Sequence, residues 1–283
     1  MVEVGVVGAG RVGMPVARRL VEGGYGVRVF EVRDELEQSV RRMGARWGGA
    51  VAEVDVLLTV LPGSPELRAA MPGLLAELRA GTAWIDLTSA STELGRELAA
   101  AASAHGVDYL EAPLGGGPEA AESGALTVYA GGERETFDRL RPVLETFAAK
   151  LNYLGPHGNG YLTKLLINLL WFNQAVALGE VLRLARAGGL DPARLHETLL
   201  NGPSDSAFVR DVLPSYLAGD NLATFGMDRI VEELESIEQF ARANDVPATV
   251  TGSTAALYRE ALDHFGPVAG ELLAMRYAAE GER

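Results

Sequence analysis

The chain opens with Val4-Gly5-Val6-Val7-Gly8-Ala9-Gly10-Arg11-Val12-Gly13, and this stretch decides the fold. A short apolar run predicts a buried strand and leads directly into a G-x-G-x-x-G pattern. Residues 14–22 then carry apolar side chains at helical spacing, and residues 26–30 predict a second strand that ends at Glu31. A glycine pattern alone is weak evidence, because glycine-rich turns are common. Its position between a strand and a helix, with an acid 18 residues after the last glycine, predicts a dinucleotide-binding βαβ unit.

The chemistry of this turn indicates which residues contact the dinucleotide. Glycines let the backbone approach a pyrophosphate, which rests on the unpaired N–H groups of a helix N-terminus. Glu31 is expected to accept hydrogen bonds from the adenine ribose, which favours NAD over NADP. Arg33 lies two residues on and would instead meet a 2′-phosphate, so NADP is the alternative. The expected pyrophosphate contacts are Gly8, Ala9, Gly10, Arg11, Val12 and Gly13.

The composition of the chain disfavours several classes of function. The 283 residues suffice for two domains, and a net charge of −13 argues against nucleic acids and membrane surfaces, which are polyanionic. There is no cysteine, and the four histidines show no metal-ligand spacing, so neither a disulfide nor a metal site is expected. No uninterrupted apolar run reaches the ~20 residues of a membrane span and no export signal is apparent, so we expect a cytoplasmic protein.

The order of the predicted elements changes character near residue 157. Up to that point strands and helices alternate, which predicts an α/β Rossmann domain over residues 1–157, with a mainly parallel sheet and helices on both faces. Residues 158–283 predict an all-helical domain for substrate binding and dimerisation. The predicted strands are 4–7, 26–30, 54–60, 83–87, 107–111, 125–130 and 152–154; the predicted helices are 14–22, 34–43, 64–78 with Ser64 as its cap, 92–104, 133–147, 161–187, 192–200, 204–217, 225–243, 251–264 and 268–279.

The helix predicted over residues 161–187 joins the two domains and is apolar over most of its circumference. Such a helix is expected to be buried nearly all round, against the first domain, the rest of its own domain or a second subunit. Residues 165–184 carry more apolar surface than one small helical domain covers. This surplus predicts a homodimer or a higher homo-oligomer.

Two further features are candidates for chemistry. The loop Gly115-Gly116-Gly117 offers consecutive backbone N–H groups that hold an anion such as a carboxylate, although a plain flexible loop is the alternative. Lys164 lies one turn into the long helix, with Asn168 four residues on along the same face. A lysine there is either a snorkelling surface residue or, directed into an interdomain cleft, a general acid–base. Lys150 is the only other lysine in the chain, which favours function for Lys164.

Four motifs in this order resemble the β-hydroxyacid dehydrogenase family, which includes 3-hydroxyisobutyrate and tartronate semialdehyde dehydrogenases and glyoxylate reductases. They are the glycine turn at 8–13, Asp86-Leu87-Thr88-Ser89-Ala90-Ser91, Glu111-Ala112-Pro113-Leu114-Gly115-Gly116-Gly117, and Gly160 through Lys164 to Asn168. The resemblance extends along almost the full length and implies a helical C-terminal domain of the 6-phosphogluconate dehydrogenase type. It also implies an oligomer, in which the partner subunit helps to close the cleft.

The resemblance also implies roles for individual residues. The lysine that matches Lys164 is the catalytic acid–base of the family, and the asparagine that matches Asn168 contacts the substrate. The loop that matches Gly115–Gly117 holds the substrate carboxylate. Residues that match Leu61, Pro62 and Ser89 line the nicotinamide side of the cleft, where Ser89 also adjoins the substrate.

Two departures from the family pattern change the predicted substrate pocket. Gly115 stands where the family usually carries a serine, and Glu232-Glu233 stands where it usually carries a Lys-Asp pair. We therefore predict an NAD(P)-dependent oxidoreductase that moves hydride between nicotinamide and a hydroxyl or carbonyl carbon of a small substrate, with an altered pocket. The alternatives are an imine reductase, which usually lacks the catalytic lysine, and a catalytically silent nicotinamide-binding sensor or scaffold.

Overall fold

The computed structural model describes residues 1–281, which form two compact units. The first unit is Met1–Lys164, and the second begins at Leu165. The division falls inside a long helix, seven residues after the boundary that the sequence predicts at 157.

The first unit is built on one sheet whose central strands are parallel. Its strands are β1 Glu3–Val7, β2 Gly26–Phe30, β3 Arg46–Trp47, β4 Val56–Thr59, β5 Ala83–Asp86, β6 Asp108–Glu111, β7 Leu114–Gly115, β8 Leu126–Gly132 and β9 Ala148–Tyr153. The strand order is β3-β2-β1-β4-β5-β6-β8-β7, with β9 also paired to β8. Strand β8 pairs antiparallel with β6 and β7 and parallel with β9, so β8 and β9 run opposite to the central strands. The mainly parallel sheet predicted from the alternating elements is confirmed.

Helices cover both faces of this sheet. They are α1 Gly13–Glu22, α2 Glu37–Arg42, α3 Ser64–Glu77, α4 Thr92–Ala104, α5 Gly117–Ser123 and α6 Arg134–Leu144, with 3-10 turns at Asp34–Leu36 and Val51–Glu53. Successive strand residues point to opposite faces, so Leu58 joins one core cluster and Leu57 the other. Each face therefore has its own buried core, as a doubly wound sheet requires.

The sequence missed the shortest elements and misplaced one cap. Strands β3 and β7 have two residues each, too few to show an alternating pattern, and helix α5 lies in what the sequence presents as loop. Ser64 is not the cap of α3, because Gly63 occupies that position and Ser64 is the first helical residue. The Ser64 hydroxyl instead accepts a hydrogen bond from the Ser91 backbone N–H at 3.2 Å.

The second unit is helical, as predicted. Its helices are α7 Asn159–Ala187, which begins in the first unit, α8 Pro192–Leu199, α9 Leu213–Leu217, α10 Met227–Ala243, α11 Thr249–Phe265 and α12 Leu273–Glu280, with a π-helical turn at Phe208–Val212. Asp191 caps α8 by accepting from the backbone N–H groups of Ala193 and Arg194 at 2.9 and 3.0 Å. Two core clusters form on α7, one around Leu182 and one around Phe172.

Helix α7 is not buried all round within this chain, and the sequence-based expectation allows a second subunit to cover part of it. Its apolar side chains occupy more than one face, and the chain covers only part of them. The exposed ones are Leu166, Ile167, Leu170, Val181 and Leu184, with Leu170 at 61% and Leu184 at 66% exposure. By length and composition alone α7 also qualifies as a membrane span, with a mean hydropathy of 1.5. A core helix of a soluble fold passes the same test, and the packing of Phe172 and Leu182 is that of a core helix.

Candidate functional site

The glycine turn after β1 has the geometry that a dinucleotide requires. A Cβ on Gly8, whose φ is +95°, would overlap the Val60 carbonyl oxygen, and a Cβ on Gly13 would overlap the Gly8 carbonyl oxygen. The chain itself therefore requires glycine at these two positions. A Cβ on Gly10 would meet no atom within 4 Å, so that face of the turn is open to a bound group. Helix α1 starts at Gly13 without a side-chain cap. The Met14 N–H already donates to the Gly10 carbonyl at 3.1 Å and Pro15 has no N–H, so among the first three helical residues it is the N–H of Gly13 that can face a phosphate.

Glu31 connects the end of β2 to this turn. Its carboxylate accepts hydrogen bonds from the Ala9 backbone N–H at 2.8 Å and from the Val32 backbone N–H at 2.9 Å. The Arg33 guanidinium donates to both carboxylate oxygens, at 2.8 and 3.1 Å. The side chain of Glu31 is 6% exposed and that of Arg33 49% exposed. The hydrogen bond from Arg33 lowers the pKa of Glu31 to about 2, so Glu31 is a carboxylate at neutral pH.

A buried hydrogen-bond network lies under the carboxyl ends of β4 and β5. Asp86, fully buried, accepts from the Thr59 hydroxyl at 2.6 Å and from the Thr88 backbone N–H at 3.1 Å. The Thr88 hydroxyl in turn accepts from the Leu61 backbone N–H at 3.2 Å. Burial raises the pKa of Asp86. These hydrogen bonds hold Leu61, the residue before exposed Pro62, in place. The last residue they include, Thr88, directly precedes half-buried Ser89.

Tyr161 joins the same network from helix α7. Its hydroxyl donates to Asp86 and lies 2.6 Å from the hydroxyl of buried Tyr109. A Cβ on Gly95 would lie 2.6 Å from the Tyr161 ring, so α4 can pass the ring only with glycine there. The first turn of α7 is thereby fixed against the sheet of the first unit.

Glu111, the last residue of β6, caps the start of α7. Its fully buried carboxylate accepts hydrogen bonds from the Gly158 backbone N–H and, at 3.5 Å, from the Tyr161 backbone N–H. A carboxylate at a helix N-terminus satisfies N–H groups that have no partner within the helix. Burial raises the pKa of Glu111 to about 7, although the backbone hydrogen bonds oppose this shift. Lys164, three residues after Tyr161, is carried by this capped turn.

The second glycine loop is an ordered part of the sheet rather than a flexible connection. Gly115 lies in β7 and pairs with Thr127 of β8. Gly116 and Gly117 have φ values of +110° and +65°, which side chains rarely adopt, and α5 begins at Gly117.

In the second unit, Asn168 contacts one of the two acids that depart from the family pattern. The Asn168 side-chain amide donates to the Glu233 carboxylate at 2.7 Å, and Glu233 is buried. Glu232 pairs instead with Arg229, at 3.1 Å. The sequence comparison singles out Glu232 as the replacement of the family's lysine, whereas in the structure it is Glu233 that contacts Asn168, the predicted substrate-binding residue.

Sequence reasoning missed the residues that support the site. Asp86 and Glu111 lie in motifs that the sequence singles out, but their roles depend on partners that are 75 and 47 residues away in the chain, Tyr161 and Gly158. The signal available in the sequence is an acid at the end of each of two successive strands. Within residues 1–281, no cluster of three or more histidines and acids is arranged to hold a metal ion.

A doubly wound sheet with an open glycine turn, followed by a helical unit whose first helix carries a lysine, defines a class of nicotinamide-dependent dehydrogenases. Comparison with known proteins agrees. Residues 3–155 match the model of the NAD binding domain of 6-phosphogluconate dehydrogenase, and residues 158–277 match the NAD-binding domain of NADP-dependent 3-hydroxyisobutyrate dehydrogenase. The chain belongs to the β-hydroxyacid dehydrogenase family and is an NAD(P)-dependent dehydrogenase.

Individual relatives agree with this family assignment. The 3-hydroxyisobutyrate dehydrogenase of Pseudomonas aeruginosa is 31% identical over 206 residues, which are 70% of this chain and 69% of the relative. The structure of Mycobacterium tuberculosis 3-hydroxyisobutyrate dehydrogenase with L-serine superposes with a TM-score of 0.90 at 26% identity, over 99% of this chain and 100% of that one. An imine reductase from Myxococcus stipitatus in complex with NAD+ shares the fold, with a TM-score of 0.66 at 20% identity over 98% of this chain and 99% of that one.

Proposed function

We propose that Lys164 is the general acid–base of this dehydrogenase and that its substrate is a small hydroxy acid or the corresponding carbonyl acid. The observation that carries the proposal is the fixed first turn of α7. Glu111 caps this turn and Tyr161 ties it to Asp86, so the backbone that carries Lys164 is held in place. A catalytic group requires such support, because small displacements of a reacting group are costly to the rate.

The residues divide the chemistry between them. The nicotinamide cofactor supplies or accepts the hydride. Lys164 donates a proton to the carbonyl oxygen in reduction, accepts one from the alcohol in oxidation, and stabilises negative charge on that oxygen by its own charge. Asn168, one turn further along the helix, orients the reacting oxygen or Lys164, and Glu233 holds the Asn168 amide. Ser89 and the Gly115–Gly117 loop complete the proposed substrate contacts, the loop through its backbone N–H groups.

The proposed cofactor contacts begin at the glycine turn after β1. Gly8–Gly13 hold the pyrophosphate, Leu61, Pro62 and Ser89 adjoin the nicotinamide, and Glu31 accepts from the adenine ribose. Because Glu31 is ionised and already pairs with Arg33, a 2′-phosphate would meet a carboxylate rather than a free arginine. This arrangement supports a preference for NAD over NADP.

Reduction of a C=N bond is the second candidate activity. Gly115 and Glu232 remove a hydroxyl and a positive charge that the family pattern places near the substrate, which favours a less acidic substrate. The presence of Lys164 favours the hydroxy acid. The proposal is tested by incubating the protein with NADH and a panel of aldehydes, keto acids and cyclic imines, and with NAD and hydroxy acids that include 3-hydroxyisobutyrate and L-serine, while nicotinamide absorbance is followed. Turnover of imines alone, or of nothing, would overturn it.

The exposed apolar residues of α7 support a homodimer or higher oligomer. Five large apolar side chains of one helix are at least 40% exposed, and exposed apolar patches mark surfaces of protein association. A second copy of this chain is the proposed occupant, since symmetric self-association covers the same patch on both copies. The cytoplasm is the proposed compartment.

A further inference from the structure

The side chain of Tyr129 occupies the space above Gly115. In the antiparallel pair of β7 and β8, Gly115 is opposite Thr127, so Tyr129 is its diagonal neighbour on the same face. Val128 lies on the other face, fully buried in the core. A Cβ on Gly115 would lie 2.9 Å from the Tyr129 hydroxyl oxygen and 3.1 Å from a ring carbon.

This contact accounts for the glycine at position 115. A Cβ there, including that of serine, would meet the phenol edge closer than ordinary van der Waals contact allows unless the Tyr129 ring moved. The two positions therefore form a pair in which the larger residue comes from β8 and the smaller one from the loop. The hydroxyl at this point of the glycine loop is supplied by Tyr129 and not by residue 115.

The Tyr129 hydroxyl is available to a ligand. The residue is half-buried on the outward face of β8, and its burial raises the pKa, so at neutral pH it is a protonated hydrogen-bond donor. Across residues 1–281 this hydroxyl makes no hydrogen bond to another protein group. The next two residues of the loop, Gly116 and Gly117, have positive φ values, a backbone conformation that side chains rarely adopt.

We propose that Tyr129 binds the substrate by donating its hydroxyl hydrogen to the carboxylate held at the Gly115–Gly117 loop. The inference rests on the proposed function, because it assigns a contact within that substrate site. It also concerns substrate specificity, because the hydroxyl donor belongs to an aromatic ring that covers Gly115. A substrate at this loop meets one phenol donor and an apolar ring edge, so the site accepts a carboxylate flanked by an apolar group.

The test removes the hydroxyl and keeps the ring. In Tyr129→Phe, the KM for the best hydroxy acid of the panel should rise by roughly ten- to a hundredfold, the factor for a hydrogen bond to a charged group. The KM for the methyl ester of the same acid should change by less than about twofold, because the ester has lost the charge. The Kd for NADH should be unchanged. Thr127→Val is the matched control, since it removes a hydroxyl from the same face next to Gly115.

A second pair of variants tests the exchange between the two positions. Tyr129→Ala should raise the KM for the acid, and adding Gly115→Ser to Tyr129→Ala should restore part of that loss, because the space above residue 115 is then open. An unchanged KM in Tyr129→Phe, or an equal rise for the acid and its ester, would overturn the inference while leaving the dehydrogenase activity in place. Failure of the wild-type protein to turn over any acid would instead overturn the proposed function, and the inference with it.

Discussion

At the scale of single residues, the role of Lys164 is the most direct to test. Replacing it with alanine removes the proposed proton donor, so kcat should fall by at least a factor of ~10², the lower end of general acid–base contributions. The Kd for the cofactor should stay within about twofold, because Lys164 is not among the residues around the glycine turn. Lys150→Ala is the control: it removes the only other lysine, which is exposed on β9. Turnover that survives in Lys164→Ala would remove it from the mechanism.

Glu31 and Arg33 form the second test at this scale. Glu31→Gln removes the negative charge beside the ribose and releases Arg33, which then meets the 2′-phosphate of NADPH. The ratio of the Kd for NADPH to the Kd for NADH should fall about tenfold, equivalent to about 1.4 kcal/mol, by titration of nicotinamide fluorescence. Adding Arg33→Ala to Glu31→Gln should cancel the gain. Tighter binding of NADPH than of NADH by the wild-type protein would contradict the assignment.

At the scale of elements, the fixed first turn of α7 gives a prediction about pH. Glu111 has a pKa of about 7 in the folded protein against 4.5 in a free chain, so between these values the folded state binds more protons than the unfolded one. The free energy of unfolding should therefore fall as the pH rises from about 4.5 to about 7, by on the order of 3 kcal/mol from this residue. Buried Asp86, whose pKa is also raised, adds to the same trend, while Tyr109 and Tyr161 stay protonated throughout.

Denaturant unfolding at several pH values measures this effect. Glu111→Gln cannot ionise, so its stability should vary less with pH over that range than the stability of the wild-type protein. Glu119→Gln on α5 is the control, because Glu119 is exposed and its replacement should leave the wild-type profile unchanged. Parallel profiles for Glu111→Gln and the wild-type protein would show that Glu111 is not the titrating group.

The same element shows what a sequence predicts and what it does not. The run from β1 through the glycine turn to Glu31 is local, with hydrogen bonds between β1, the turn and β2 that span at most 24 residues, and its pattern specifies strand, turn and helix directly. The cap on α7 joins residues about 50 apart, and no pattern of apolar residues in the sequence predicts it. The contact of Tyr129 with Gly115 depends on the register of β7 and β8, which a strand of two residues does not reveal.

At the scale of the whole molecule, the exposed face of α7 predicts the assembly. The wild-type protein should be a dimer or larger at micromolar concentration by light scattering. Leu170→Glu places a charge in the centre of the apolar patch and should shift the population to monomer, because burying an unpaired carboxylate is unfavourable. Val32→Glu makes the same chemical change at an isolated exposed valine and should leave the assembly intact. A monomeric wild-type protein would refute the proposed interface.

The buried network around Asp86 gives the molecule an optical reporter. Trp84 is fully buried, donates its indole N–H to Thr59 at 2.9 Å, and lies 4.5 Å from the Tyr109 ring, centroid to centroid. The two other tryptophans, Trp47 and Trp171, are partly exposed. With both replaced by phenylalanine, the emission of the protein would come from one indole, two hydrogen bonds away from the carboxyl group that holds Tyr161. Changes at the start of helix α7 would then appear as a shift in the wavelength or intensity of tryptophan fluorescence, without any substrate or turnover.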